Sequence, residues 1–308
     1  MQDFSHNNPN EVTCGFSDNI QPTYLTNYAE LLHKFNLTYT SSEYYWLVGD
    51  LYNFQGWVLH LSAIKAQLQE LFLIVLPVLI HKNIPFKIVQ NITLAGRILD
   101  GQLGSEYLGK IMTIYPPNDA QAILLADQLI AITHSFMGPV ITNDRWLGSI
   151  VYTKLESYAP VTKKQGNSLS DKAYPFKHLP NSEISKQRRL LNSKYYPITK
   201  IKKDAKGDVI KAIFFEKPWK VSYCIIKQGR RHMFSDNTKR DIRDRLRWQY
   251  ELYTQLGPDL PLPKIFDHFS ENGDTYLAMQ YIKGLSFTNH LSKLYDNRIW
   301  HDLPSAVQ

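Results

Sequence analysis

The 308-residue chain reads as an α+β protein in two parts, the second of them mainly antiparallel β with one helix. Three observations predict this. Between residues 44 and 158, short β-prone runs alternate with segments of helical periodicity, too short for a doubly wound parallel sheet. Residues 159–195 lose that periodicity and gather Pro, Ser, Asn and Lys. From Tyr196 onward, three strand-like runs, one charged helix and one hairpin follow in succession.

The elements fall in this order. Residues 1–43 form a polar lead with a short helix around Tyr24 to Phe35. WVLHLSA (57–63) is a strand, and AIKAQLQELFLIVLPVLIHKN (63–83) repeats its apolar residues at helical spacing. PFKIVQ (85–90) is a second strand, and ITLAGRILDGQLG (92–104) a helix closing into glycine turns. KIMTIYP (110–116) is a strand stopped by Pro116 and Pro117. Asn118 and Asp119 start a helix with a clear apolar stripe up to Phe136. A turn through GPVITNDR and a strand at SIVYTKL close this part. Beyond the linker, ITKIKK, DVIKAIFFE and KVSYCIIKQ are strands, 238–256 a helix, and 264–284 a hairpin turning at Glu271 to Asp274. The expected divisions are therefore 1–43, 44–158, 159–195, 196–290 and a C-terminal extension, 291–308.

Composition narrows the class. Cys14 and Cys224 are the only cysteines, too few for a disulfide framework, which fits a reducing, cytoplasmic setting. The N-terminus lacks a basic segment followed by an apolar one, and the run Leu71 to Ile80 is too short to span a bilayer. The net charge of +7 is uneven: residues 161–250 hold 23 Lys/Arg against 8 Asp/Glu. No stacking-aromatic motif accompanies that charge, so nucleic acid is not an expected partner. A solvated basic segment or a docking surface for an acidic peptide accounts for it.

Four stretches of the first part carry chemistry together: Gly-Trp-Val-Leu-His-Leu-Ser-Ala (56–63), Pro-Phe-Lys (85–87), Gly-Lys-Ile-Met-Thr-Ile-Tyr-Pro (109–116) and Thr-Asn-Asp-Arg (142–145). Their order and spacing resemble the N-terminal phosphoserine/phosphothreonine lyase domain of bacterial class III lanthipeptide synthetases, over roughly residues 44–158. The resemblance implies a carbon–oxygen lyase that eliminates phosphate from phosphorylated Ser or Thr of a precursor (leader-core) peptide, giving dehydroalanine or dehydrobutyrine. Such chemistry asks for a base whose pKa burial has lowered, an acid for the departing oxygen, and fixed positive charge around the phosphate. Lys87 is the candidate base, His60 the candidate acid, and Lys110, Arg145 and Lys154 the candidate phosphate-binding cations. No metal and no cofactor are expected for this step. Members of the family carry a lysine two residues before the histidine, where this chain has Val58, and arginines ahead of the Gly-Lys strand, where it has Gln102 and Ser105. Lys154, Arg97 or the basic linker would have to compensate.

The second part resembles the N-lobe of a protein-kinase-like domain. Lys227, in Cys-Ile-Ile-Lys (224–227), matches the strand lysine that grips nucleotide phosphates. The resemblance implies a glutamate partner at the position held by Gln249, and Glu251, two residues on, is the candidate substitute. Gln280 stands in the hinge-like run Ala278 to Gly284. The resemblance implies ATP or another nucleoside triphosphate, with Mg, for a complete kinase domain. No His-Arg-Asp loop or Asp-Phe-Gly follows, and His301-Asp302 is not that motif. The fragment alone is therefore expected not to carry the kinase step. Two other readings are a degenerate leader-binding or scaffold module, and half of a split enzyme completed by a separate C-lobe or cyclase chain.

Overall fold

A computed structural model describes residues 25–51, 54–158, 173–179, 190–256 and 260–295. Within them the chain is α+β, with two antiparallel sheets and six α-helices. The expected start of the lead, Cys14, the N-terminal end of the first helix at Tyr24, most of the linker and His301-Asp302 lie outside the described residues.

The first sheet has seven strands: β1 (Thr40–Ser42), β2 (Tyr45–Val48), β3 (Phe54–Leu61), β4 (Phe86–Val89), β5 (Met112–Ile114), β6 (Arg145–Gly148) and β7 (Val151–Tyr158). Their spatial order is β1-β2-β4-β5-β3-β7-β6, every pair antiparallel. Four helices accompany them: α1 (Ala29–Lys34), α2 (Leu68–His81), α3 (Ile92–Leu99) and α4 (Asp119–Ile132). The expected helix over 63–83 instead opens with a 3₁₀ turn at Lys65–Gln67, followed by α2. Pro77 stays inside α2. The carbonyl that proline leaves without a donor is that of Leu73, on the exposed side, where water can satisfy it. Asn91 and Asn118 cap α3 and α4, each accepting a 2.9 Å bond from the backbone N–H three residues on, worth about 1 kcal/mol each.

Strand alternation sets the two faces of this sheet. Leu59, Leu61, Phe86, Ile88, Met112 and Ile114 join the core with Leu68, Leu71, Phe72, Val75 and Leu76 of α2 and Leu125 and Leu129 of α4. The residues between them, His60, Lys87 and Thr113, turn to the opposite face. That face is the one that carries the site.

This core draws in residues on both sides of 44–158. Tyr28, which precedes α1, and Leu31 and Leu32 of α1 belong to it, and β1 pairs with β2 across position 43. Phe176, in the expected linker, is fully buried against the same core, with its ring 6.1 Å from Trp57 and 5.6 Å from Tyr174. Reading 159–195 as one uniform linker thus missed a short aromatic segment that packs as core, because two aromatics without periodicity leave no pattern to follow. Phe176→Ala is expected to lower stability by about 3–5 kcal/mol, measured by urea unfolding. A change near zero would mean that the segment is not part of the folded unit.

The second sheet comprises β8 (Tyr196–Lys202), β9 (Val209–Lys217), β10 (Lys220–Gly229), β11 (Ile265–Glu271) and β12 (Asp274–Gln280), ordered β11-β12-β10-β9-β8. Its small core gathers Tyr195, Ile210, Phe214, Cys224, Ile226 and Tyr276. Helix α5 (Ile242–Leu256) packs on β10, β11 and β12. A last helix, α6 (Phe287–Leu294), capped by Ser286, crosses the expected boundary at 290/291. None of the helices among the described residues is long and apolar enough to cross a membrane.

Candidate active site

The antiparallel registers place His60 opposite Thr113 on one side, and Lys87 opposite Thr113 on the other. His60 and Lys87 therefore stand in one row across three neighbouring strands, on the same face, with Thr113 between them. On the other flank of β3, Lys154 lies opposite Val58, and Glu156 opposite Gly56. Lys110 precedes β5 and is fixed from two sides. Its backbone N–H donates to Tyr107 O, and its carbonyl accepts from Tyr45 Oη at 3.0 Å.

These side chains line a cleft of about 250 Å³ together with Glu43, Glu106, Glu156, Tyr45, Tyr107 and Tyr115. Of the residues singled out in the sequence, the structure brings together His60, Lys87, Lys110 and Lys154. It does not bring Arg145 there. Arg145 pairs with Thr153, which pairs with Leu59, so it falls in the row beside His60's and its side chain belongs to the other face. Its guanidinium lies 4.5 Å from the ring centre of Tyr174.

The residue before it, Asp144, instead contacts two of the cleft's side chains. Asp144 Oδ2 accepts from His60 Nδ1 at 2.5 Å, and Oδ1 lies 3.4 Å from Lys110 Nζ. The carboxylate is fully buried. Its approach depends on the loop after α4 lying close against the end of β3. Ser62 Oγ donates to Pro139 O, and a side chain at Gly138 would collide with the Ser62 carbonyl. Burial pushes the Asp144 carboxyl up, but the hydrogen bond and charge of His60 and the charge of Lys110 outweigh it and hold the pKa below the usual range. Asp144 was visible in the sequence only as a member of Thr-Asn-Asp-Arg; nothing in that run distinguishes which of its charged residues points inward.

Lys87 is half-buried. Burial lowers its pKa, against the opposing pull of Glu156 and Glu43. Val58 is completely buried and packs with Leu51 and Tyr115. An apolar floor thus occupies the position of the expected cation, and Lys154, directly across the strand pair, presents the positive charge on that face. Gln102 and Ser105 are exposed, as is Arg97 on α3, and none of them lines this cleft. Three lysines face three glutamates in the lining, so the cleft is electrostatically mixed rather than uniformly cationic.

In the second sheet, Lys227 is half-buried, and burial lowers its pKa. Its Nζ donates to Gln249 Oε1 at 3.3 Å, so the helix register is the one in which an amide replaces the expected carboxylate. Glu251 is exposed, facing away from Lys227 as two residues of helix turn require. Gln280 closes the base of the β11–β12 hairpin: its Oε1 accepts from Lys264 N, and its own N donates to Lys264 O. Among the described residues no group of three acidic, His or Cys side chains could hold a metal ion. The side chain hydrogen-bonded to Lys227 is a neutral amide, where the resemblance implies a carboxylate.

Residues 48–191 match the family model described as RamC, N-terminal domain, a family related to lanthipeptide synthetases. The match runs from the end of β2 through the aromatic segment at 173–179 and stops before β8. It supports a function related to lanthipeptide biosynthesis for this part of the chain. No curated protein matches the chain.

Proposed function

We propose that the first sheet carries a phosphoserine/phosphothreonine lyase acting on a lanthipeptide precursor peptide of a class III system. The observation that supports it most is the convergence of Lys87, His60 and Lys110 on one face of the sheet, with Asp144 bridging the last two. In this reading Lys87, as the neutral amine, takes the α-proton, and the electron pair of the Cα–H bond forms the Cα=Cβ bond. The Cβ–O bond breaks, and His60 in its protonated form donates from Nε2 to the leaving phosphate. Asp144 occupies Nδ1, which leaves Nε2 as the ring nitrogen directed to the cleft. Lys110 and Lys154 offset charge on the phosphate. The second sheet, read as a kinase-like N-lobe, has the lysine for nucleotide phosphates but pairs it with Gln249. The phosphorylation that prepares the substrate is therefore assigned to a partner chain or further domain.

Mass spectrometry of a phosphoserine peptide incubated with the protein tests this. The expected product has lost the elements of phosphoric acid; an unchanged peptide would remove the proposed activity. A second reading draws on the balance of lysines and glutamates in the cleft and on Gln249: a module that holds the leader peptide without chemistry. Leader-peptide binding with no turnover would favour it.

A further inference from the structure

Glu156 sits where an anionic ligand of this cleft would sit. Its Oε1 is 3.9 Å from His60 Nε2, 3.9 Å from Lys110 Nζ and 3.8 Å from Lys154 Nζ. A single oxygen thus stands almost equidistant from three nitrogens supplied by three separate places: β3, the turn before β5, and β7. None of the three separations is a hydrogen bond, which needs about 2.7–3.2 Å. The contacts are Coulombic only, and the directional capacity of these nitrogens toward this oxygen is unspent.

A phosphate monoester brings roughly twice the charge of a carboxylate and three strong acceptor oxygens. It can reach such donors at about 2.7–2.9 Å. Glu156 comes from a strand whose backbone is locked to β3 at the Gly56 pair, but its side chain is 30 % exposed and has room to turn outward. A singly charged group that displaces Glu156 replaces one negative charge with one, and can gain only the hydrogen bonds. A dianion gains both charge and hydrogen bonds.

We propose that Glu156 is a resident competitor in an anion subsite formed by His60, Lys110 and Lys154, so that the subsite admits a phosphate dianion and rejects the carboxylates of unmodified acidic residues. This rests on the reading of those three groups as the phosphate side of the site. It makes Glu156 a specificity-determining residue, because a peptide Asp or Glu would find its place already taken.

The test is a titration of the full chain with inorganic phosphate and, separately, with acetate, followed by the NMR shift of the His60 imidazole. The wild type is expected to bind phosphate and not acetate over the same concentration range. Glu156→Gln is expected to bind phosphate about tenfold or more tighter and to begin binding acetate. Glu156→Ala should do the same if the glutamine variant folds poorly. Glu43→Gln removes the same charge from the same cleft without clearing the subsite, and is expected to give a clearly smaller gain. Unchanged or weaker phosphate binding in both Glu156 variants would overturn the proposal. So would an equal gain in Glu43→Gln, or no phosphate binding by any variant. Tightening as expected, without any product from a phosphoserine peptide, would leave the subsite standing and remove the elimination reading alone.

Discussion

Lys87→Ala is expected to lower the rate of elimination by about 10²–10⁴-fold, with phosphopeptide affinity changed far less. The lysine lies in a row with Thr113 and His60 rather than beside the Lys110–Asp144 pair, so its loss would remove the proposed base and leave the proposed phosphate side intact. Burial lowers its pKa, while Glu156 and Glu43 pull the other way. The wild-type rate should therefore rise with pH as the neutral amine forms, and this rise should disappear from any residual activity of the variant. Single-turnover rates across pH, together with a phosphopeptide titration, check both parts. Retained activity with an unchanged pH profile would assign the base elsewhere.

Asp144→Ala should have the largest effect on stability among the site residues. It leaves His60 and Lys110 buried without their shared counter-charge, and breaking such a pair from one side costs about 3–5 kcal/mol. Asp144→Asn keeps the shape and removes the charge, so it separates packing from electrostatics. The sign of the pH dependence follows from the folded carboxyl lying below its ordinary value, despite burial, because of His60 and Lys110. Such a group contributes stability above its unfolded pKa, and that contribution is lost as pH falls through the lower folded value. The stability gap between wild type and Asp144→Asn is expected to be full above about pH 5 and to shrink below about pH 4. Urea unfolding at a series of pH values measures it. A gap that stays constant through the acidic range would contradict the ion-pair account.

Much of the architecture was legible because local patterns and tertiary packing agree. The apolar spacing of α2 and α4, the two asparagine caps and the Asn272-Gly273 turn each specify their element by short-range chemistry. The site was legible at the level of strands. His60 and Lys87 each sit between residues of the opposite face, and that alternation survives in the sheet. What escaped the sequence depends on register between distant segments. Arg145 and Asp144 are adjacent in the chain, but the pairing of β6 with β7 sends their side chains to opposite faces. Val58 looked like a missing cation; only the β3–β7 register shows Lys154 opposite it. The convergence of His60, Lys110 and Lys154 on Glu156 joins residues up to 96 positions apart, beyond any local periodicity. Gln249 is the reverse case: the resemblance to a kinase-like N-lobe placed it against Lys227, and the hydrogen bond lies there.

Elimination and hydrolysis both release phosphate but leave different peptides. The most direct test is to incubate the protein with a phosphoserine peptide in the presence of a small thiol and to analyse the peptide by mass spectrometry. The arrangement of Lys87 and His60 predicts a thiol adduct at the former phosphoserine, formed by addition to dehydroalanine. Recovery of the plain serine peptide with free phosphate, or of the intact phosphopeptide, would contradict it.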